Sequence, residues 1–478
     1  MKKNESLNKK AFKAGVWYTF GNLLLKGCVF FTLPIFTKLL STSDFGIYNT
    51  YMAYEGIVTA IIGLGLYGTV KNAKLDFENR FDDYLSSIIT FSLFFLIIIL
   101  LAGNTLYIFY GKLFGFSRLI TNCLILQSYG SFLIYFYGAK LNIEFKYKSY
   151  ILISFFNTFL NIIISLFLIN FVFKDHGYLG RILGSAIPLI ILSIIIIVII
   201  LLRGKKFINK KYWKYGLKIG LPLVPHVISQ SLLSQFDRIM INNMITSELA
   251  GIYSYIYTIC TITYVICFSL DNSWTPWVYM KIKNNNSNEI KEISYKYVLL
   301  FSLLTIGFVC IMPEIAKIMA NKSYWDGIDL LIPLSLANYY IFMYLIPVGI
   351  EYYNKKTNYI SVGTVSAAIL NILLNYIFIK LFGYRSAAYT TLFSYIVLYY
   401  FHRIIAQKYD INKYYNFKKI GLLNLITLLI GFFVLITLKL NFISLIIRYI
   451  IILIVIYIFY TQKNVVIKLI RKEQNDEK

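Results

Sequence analysis

Runs of apolar residues recur along almost the whole chain, separated by short segments carrying Lys, Asn, Gly and Pro. A membrane helix needs about 20 mostly apolar residues at about 1.5 Å of rise each. By that measure the pattern predicts about 14 spans. They centre near Leu25, Val58, Leu96, Leu126, Asn161, Leu192, Ser231, Thr261, Gly307, Met343, Leu370, Tyr395, Leu428 and Val455. Several contain Pro, Gly or Asn, which membrane helices tolerate where neighbours re-satisfy the backbone. The predicted fold class is an all-α polytopic membrane protein. No segment between spans exceeds about 20 residues, which leaves little room for an extramembrane catalytic domain. A membrane glycosyltransferase or polymerase is therefore disfavoured.

Composition agrees with the pattern. Of the 478 residues 58% are hydrophobic and 14% charged, whereas a soluble protein carries about 25% charged residues. The chain has 47 Lys and Arg against 22 Asp and Glu, a formal net charge of +25. In a soluble protein such an excess suggests nucleic acid. Here its placement gives another reading. With the N-terminus inside and the spans alternating, 34 of the 47 fall in inside segments and nine, Arg181 among them, in outside loops. Lys26, Arg238, Lys317 and Arg448 lie within spans. That asymmetry predicts both termini in the cytoplasm and no nucleic-acid partner. Lys26 also interrupts the first span, and no small-residue cleavage site follows it, against a signal peptide.

Cofactor chemistry has little to stand on. The five cysteines lie in apolar stretches without a C-x-x-C pair, and the three histidines are far apart. The expectation is no metal site, no disulfide framework and no catalytic centre. A phosphate-binding G-x-x-x-x-G-K-[ST] loop is also lacking.

The chain repeats itself. Leu40-Ser41-Thr42-Ser43-Asp44-Phe45-Gly46-Ile47-Tyr48 recurs as Ile245-Thr246-Ser247-Glu248-Leu249-Ala250-Gly251-Ile252-Tyr253, offset by 205. Leu160-Asn161-Ile162 recurs at Leu370-Asn371-Ile372, and Gly177-Tyr178 at Gly383-Tyr384. An offset spanning six helices gives two halves of the same orientation, related by an axis along the membrane normal. The predicted organisation is an N-lobe over 1–202, a cytoplasmic linker over 203–216, a C-lobe over 217–406, and two additional helices with a cytoplasmic tail over 407–478.

Polar residues inside spans are few, and such groups usually face a cavity or a partner. Thr19, Asn22 and Lys26 share one face of the first span. Tyr51, Glu55, Thr59 and Gly63 form a four-spaced stripe on the second. His226, Gln230, Ser234 and Asp237 share a face of the seventh, with Arg238 adjacent, and Asp271 sits on the eighth. Other groups have structural readings: the Asn157, Asn161, Asn371 and Asn375 stripes as interhelical glue, Glu314 with Lys317 as a pair three residues apart, and Glu351 and His402 as snorkelling helix-end groups. A cleft bearing Lys26 and Arg238 favours an anionic group such as a phosphate.

The segment Pro34-Ile35-Phe36-Thr37-Lys38-Leu39-Leu40 through Tyr48 resembles the first-loop signature of bacterial polysaccharide exporters of the Wzx type, within the MOP superfamily. Gly220-Leu221-Pro222-Leu223 through Ser234-Gln235-Phe236-Asp237-Arg238 is similar to that family's seventh helix. Ala250-Gly251-Ile252-Tyr253, Trp274-Thr275-Pro276-Trp277 and Phe382-Gly383-Tyr384-Arg385-Ser386-Ala387-Ala388 resemble its later signatures. The resemblance implies MATE-like architecture: two pseudo-symmetric six-helix lobes plus two C-terminal helices in the bacterial inner membrane. It also implies a flippase that moves an undecaprenyl-pyrophosphate-linked repeat unit of O-antigen, lipopolysaccharide or capsule outward by alternating access. Asp237 and Arg238 carry over as motif residues. The expected substrate-binding residues are Lys26, Arg238, Asn22, His226, Gln230 and Ser234. The coupling candidates, for a proton or sodium ion, are Glu55, Asp237 and Asp271. Expected partners are the lipid-linked oligosaccharide, membrane lipids and the polysaccharide polymerase machinery. A multidrug or cation extruder and a peptidoglycan-precursor flippase of the same superfamily are the alternatives.

Overall fold

The computed structural model describes residues 21, 27, 30–440 and 442–475, with side chains through residue 461. Among them there is no β-strand, and one isolated bridge joins Leu113 to Phe116. The helices are α1 (Phe30–Leu39), α2 (Thr42–Gly63), α3 (Val70–Asp76), α4 (Phe81–Tyr110), α5 (Arg118–Ile143), α6 (Tyr147–Phe167), α7 (Gly177–Arg203), α8 (Lys210–Gly220) and α9 (Val224–Met244). They continue as α10 (Ser247–Lys283), α11 (Ser287–Met319), α12 (Leu331–Tyr353), α13 (Thr357–Phe382), α14 (Ser386–Gln407), α15 (Ile411–Tyr414), α16 (Phe417–Thr437) and α17 (Phe442–Asn475).

Ten of the described helices are long and apolar enough to cross a membrane, eleven if one bent pair is a single span. The predicted centre Leu25 lies outside the described residues, and each other centre falls in a helix of its own. Physical differences separate ten from the expected 14. The bent pair arises because α2 stops at Leu64 and Gly65, both at positive φ, and the chain restarts 50° away. The described part of α1 is short, while α9 and α14 each carry too many polar residues to pass on apolarity.

The chain forms two compact units, Met1–Ser254 and Tyr255–Lys478. In the first, a core of Tyr51, Ile62, Tyr84, Ile88, Phe132 and Phe136 lies among α2, α4 and α5. The basic segment after α7 folds as α8, whose N-cap Asn209 accepts from the Lys211 backbone (3.0 Å). Its lysines stay exposed, while the Trp213 indole donates to the Ser87 carbonyl (2.9 Å) and Tyr215 to Asp76. Burial, then the Asp76 carboxylate, raise the Tyr215 hydroxyl pKa.

The repeat is visible as contacts. Ser41 caps α2 by accepting from the Asp44 backbone (3.0 Å), and Thr246, 205 residues on, caps α10 by accepting from the Leu249 backbone (3.3 Å). A Cβ on Gly46 would lie 1.8 Å from the Ser247 carbonyl oxygen, and one on Gly251 1.9 Å from that of Thr42. Thr42 and Ser247 are themselves 205 apart, so the two helix starts cross in a reciprocal contact that only glycine admits.

In the second unit Trp274 stacks on Tyr297 at 4.0 Å, and Phe301 on Phe342 at 4.1 Å. The last two helices are fastened to this core. Asn424 accepts from Tyr339 (2.7 Å), and Arg448 makes a forked ion pair with Glu314, 2.5 and 2.7 Å. The expected pairing of Glu314 with Lys317 is thereby corrected: the forked guanidinium offers two parallel bonds that the local ammonium does not. Glu351 and His402 do not snorkel either. Both are fully buried and bonded to each other at 2.9 Å.

Candidate functional site

The α2 stripe is buried within the first unit. The Tyr51 hydroxyl donates to Gln127 Oε1 of α5 (2.8 Å), and Ser185 of α7 donates to the same oxygen at 3.4 Å. The Thr59 hydroxyl donates to Glu55 Oε1 (3.1 Å), and Ser128 Oγ donates to the Glu55 backbone carbonyl (3.3 Å). Glu55 is 8% exposed. Among the described residues no cation lies within 4 Å of it, so hydroxyls hold this carboxyl group. Such a group changes charge only at a desolvation cost of several kcal/mol (order of magnitude), and it suits a site that exchanges a proton or small cation.

Helix α9 packs along α2. Gly56 leaves room for the Gln235 amide, and the Asn243 amide donates to the Tyr54 hydroxyl at 3.1 Å. The predicted α9 stripe divides in two. Gln230 is exposed and His226 and Ser234 half-buried, with the Ser234 hydroxyl donating to the Gln230 carbonyl (2.8 Å). His226 Nδ1 has no hydrogen-bond partner among the described residues. One turn further on, Asp237 and Arg238 are both buried, and Asp237 Oδ2 accepts from the Tyr253 hydroxyl (2.7 Å). Tyr253 belongs to the second copy of the repeat, a link that spacing alone did not reveal.

Asp271 lies in the second unit, half-buried on α10, and accepts from Thr275 Oγ1 one turn on (2.8 Å). Asn22 and Lys26 lie outside the described residues. The first unit thus gathers Glu55 with Gln127, Ser128 and Thr59, and places Asp237 and Arg238 side by side on α9, whereas Asp271 has separate surroundings.

Arg181 was missed. Counted as an outside-loop residue, it lies in the second turn of α7. Its guanidinium donates to Asn161 and to Ser165 Oγ (2.7 Å) of α6, and lies over the rings of Phe36 (4.0 Å) and Tyr48 (4.5 Å). No carboxylate lies within 4 Å among the described residues. The repeat held the signal: 210 residues on, Asn371 donates to Thr391 (3.2 Å), and Thr390 to Asn375. In both units the asparagine stripe bonds the following helix, which bears out the glue reading for Asn161, Asn371 and Asn375.

Residues 11–281 match the family described as polysaccharide biosynthesis protein. No curated protein sequence matches. Among solved structures, the lipid II flippase MurJ in an inward closed conformation is similar at TM-score 0.71 and 16% identity, covering 94% of this chain and 99% of that one. An inward-facing multidrug resistance MATE transporter of the MOP superfamily follows at TM-score 0.62 and 15% identity, covering 80% of this chain and 94% of that one. A MOP superfamily transporter from Pyrococcus furiosus is similar at TM-score 0.52 and 14% identity, covering 84% and 96%. At these identities the likeness establishes the fold.

Proposed function

The chain belongs to the polysaccharide biosynthesis protein family, and from that premise we propose that it is a flippase for a polyprenyl-pyrophosphate-linked oligosaccharide. The observation that carries the reading is α9, a helix of a membrane protein whose accessible His226, Gln230 and Ser234 run into the buried Asp237 and Arg238. A polar helix face inside a bilayer fits a hydrophilic cargo.

In this reading Lys26 and Arg238 hold the pyrophosphate by charge-assisted bonds, while Asn22, His226, Gln230 and Ser234 meet the sugar. The polyprenyl tail stays in lipid. Residues 1–202 and 217–406 act as lobes joined by 203–216, with 407–478 appended and both termini in the cytoplasm of a bacterial inner membrane. Proton or sodium exchange at Glu55, Asp237 or Asp271 drives alternating access, and a polymerase receives the exported unit.

The test is deletion and complementation, with surface glycan and lipid-linked intermediates followed together. Loss of surface glycan with repeat units held on the cytoplasmic leaflet is expected. Normal glycan with greater sensitivity to cationic drugs replaces this reading with the extruder.

A further inference from the structure

Glu351 of α12 and His402 of α14 are each 0% exposed and bonded Nδ1 to Oε1 at 2.9 Å. Their outer atoms, Glu351 Oε2 and His402 Nε2, are buried without a hydrogen-bond partner among the described residues. The arrangement is poor glue. A buried polar pair that leaves two atoms unsatisfied is less favourable than apolar side chains of similar volume.

The surroundings are sparing in charge. From α12 comes Tyr344, its ring centroid 6.0 Å from that of His402, with Tyr352 next along the chain from Glu351. From α13 comes the backbone of Gly363, where a Cβ would lie 2.6 Å from His402 Nε2. From α14 come Phe401 and Arg403, whose guanidinium lies over the Phe417 ring of α16 (4.6 Å). Among the described residues no lysine or arginine lies within 4 Å of Glu351. Two states of the pair differ by one proton. Neutral imidazole beside carboxylate is a net negative charge buried without compensation. One more proton makes the pair neutral overall, as imidazolium with carboxylate or imidazole with carboxylic acid.

We infer that Glu351 and His402 form a binding site for one exchangeable proton in the second unit, separate from Glu55, Asp237 and Asp271. Loaded, the pair ties α12 to α14 as a neutral unit. Unloaded, it holds a buried negative charge that is relieved by water entry or by separation of the two helices. Proton binding stands on this geometry alone; its use in transport rests on the flippase reading.

The full chain in lipid nanodiscs tests it. Proton release is counted in an alkaline titration, and the carbonyl stretch of protonated carboxyl groups is followed by infrared spectroscopy. Glu351→Gln should release one proton fewer than the native chain, and His402→Gln, which keeps the carboxyl group, should keep that proton with a displaced midpoint, with thermal unfolding as the check on folding. Should both fail to fold, Gly363→Ala, which presses on Nε2, should shift the midpoint of that proton's release. A native proton count in folded Glu351→Gln, or an unmoved midpoint in Gly363→Ala where the glutamine variants do not fold, overturns the site. Export is read separately as surface glycan against external pH. A flattened profile in Glu351→Gln links the proton to transport. Absence of any lipid-linked cargo overturns the flippase reading and leaves the proton count standing.

Discussion

Arg448 shows what a buried guanidinium demands. It is 3% exposed, and both oxygens of Glu314 hold it from 134 residues away. Removing the carboxylate leaves a desolvated cation, at a cost of roughly 2–4 kcal/mol given that Glu314 is itself partly exposed. Glu314→Gln should therefore lower the unfolding temperature in detergent. Glu314→Leu combined with Arg448→Leu should regain most of the loss, since no charge is then stranded. A double variant as unstable as Glu314→Gln would mean that the pair contributes more than mutual neutralisation. The same case marks where the sequence stopped being legible. Spacing along a helix finds neighbours three or four residues apart, so Glu314 was matched with Lys317. Bonds that close over long separations, such as Arg181 with Asn161 or Glu351 with His402, depend on which helices pack, and periodicity does not encode that. Glu55 lies between these cases: its face and Thr59 were readable, its partner Ser128 on α5 was not.

Between helices, glycine marks the points where backbones touch. Gly46 and Gly251 meet the carbonyl oxygens of Ser247 and Thr42 at distances no Cβ accepts. Overpacking of this kind costs about 1–3 kcal/mol, and more against backbone than against a flexible side chain. Gly46→Ala and Gly251→Ala should each destabilise the protein by at least that lower figure, and to similar extents because the contact is reciprocal. Gly421→Ala is the opposite case, with nothing within 4 Å of the added methyl inside α16. It should be neutral or stabilising by up to about 1 kcal/mol. If the three variants unfold at one temperature, the close approach of α2 and α10 is wrong. Here the sequence was more informative: the nonapeptide repeat placed these glycines at matching positions, and the caps Ser41 and Thr246 began both helices as their side chains dictate. Helix centres were legible because bilayer thickness sets their spacing. Their apolarity was not uniform, and α9 and α14 show why: a helix lined with polar groups on one side turns that surface to neighbouring helices rather than to lipid.

Across the whole molecule the distribution of basic residues supports the proposed orientation. With the N-terminus inside, the α4–α5 turn faces outward and the α10–α11 turn inward. In a cysteine-free background, Ser117→Cys should react with an impermeant thiol reagent in intact cells, and Asn285→Cys only after permeabilisation. Both positions are exposed at helix junctions, so a reversed pattern would invert the topology rather than report burial. A pyrophosphate carries its charge through the membrane only where cations replace its hydration, and Lys26 and Arg238 are the residues proposed for that role. Each charge-assisted contact is worth about 1.5–3 kcal/mol, equivalent to roughly a 10- to 150-fold change in an equilibrium constant. Lys26→Ala and Arg238→Ala should each cut surface glycan several-fold at matched expression, and together should abolish it. Arg238→Lys should be intermediate, because a point charge keeps the attraction and loses the fork. Since Arg238 is buried beside Asp237, its alanine variant must also be shown to fold, by the same detergent melting used for Glu314→Gln. Unchanged glycan in folded Lys26→Ala and Arg238→Ala proteins would remove the anion site and leave His226, Gln230 and Ser234 of α9 as the proposed source of cargo recognition.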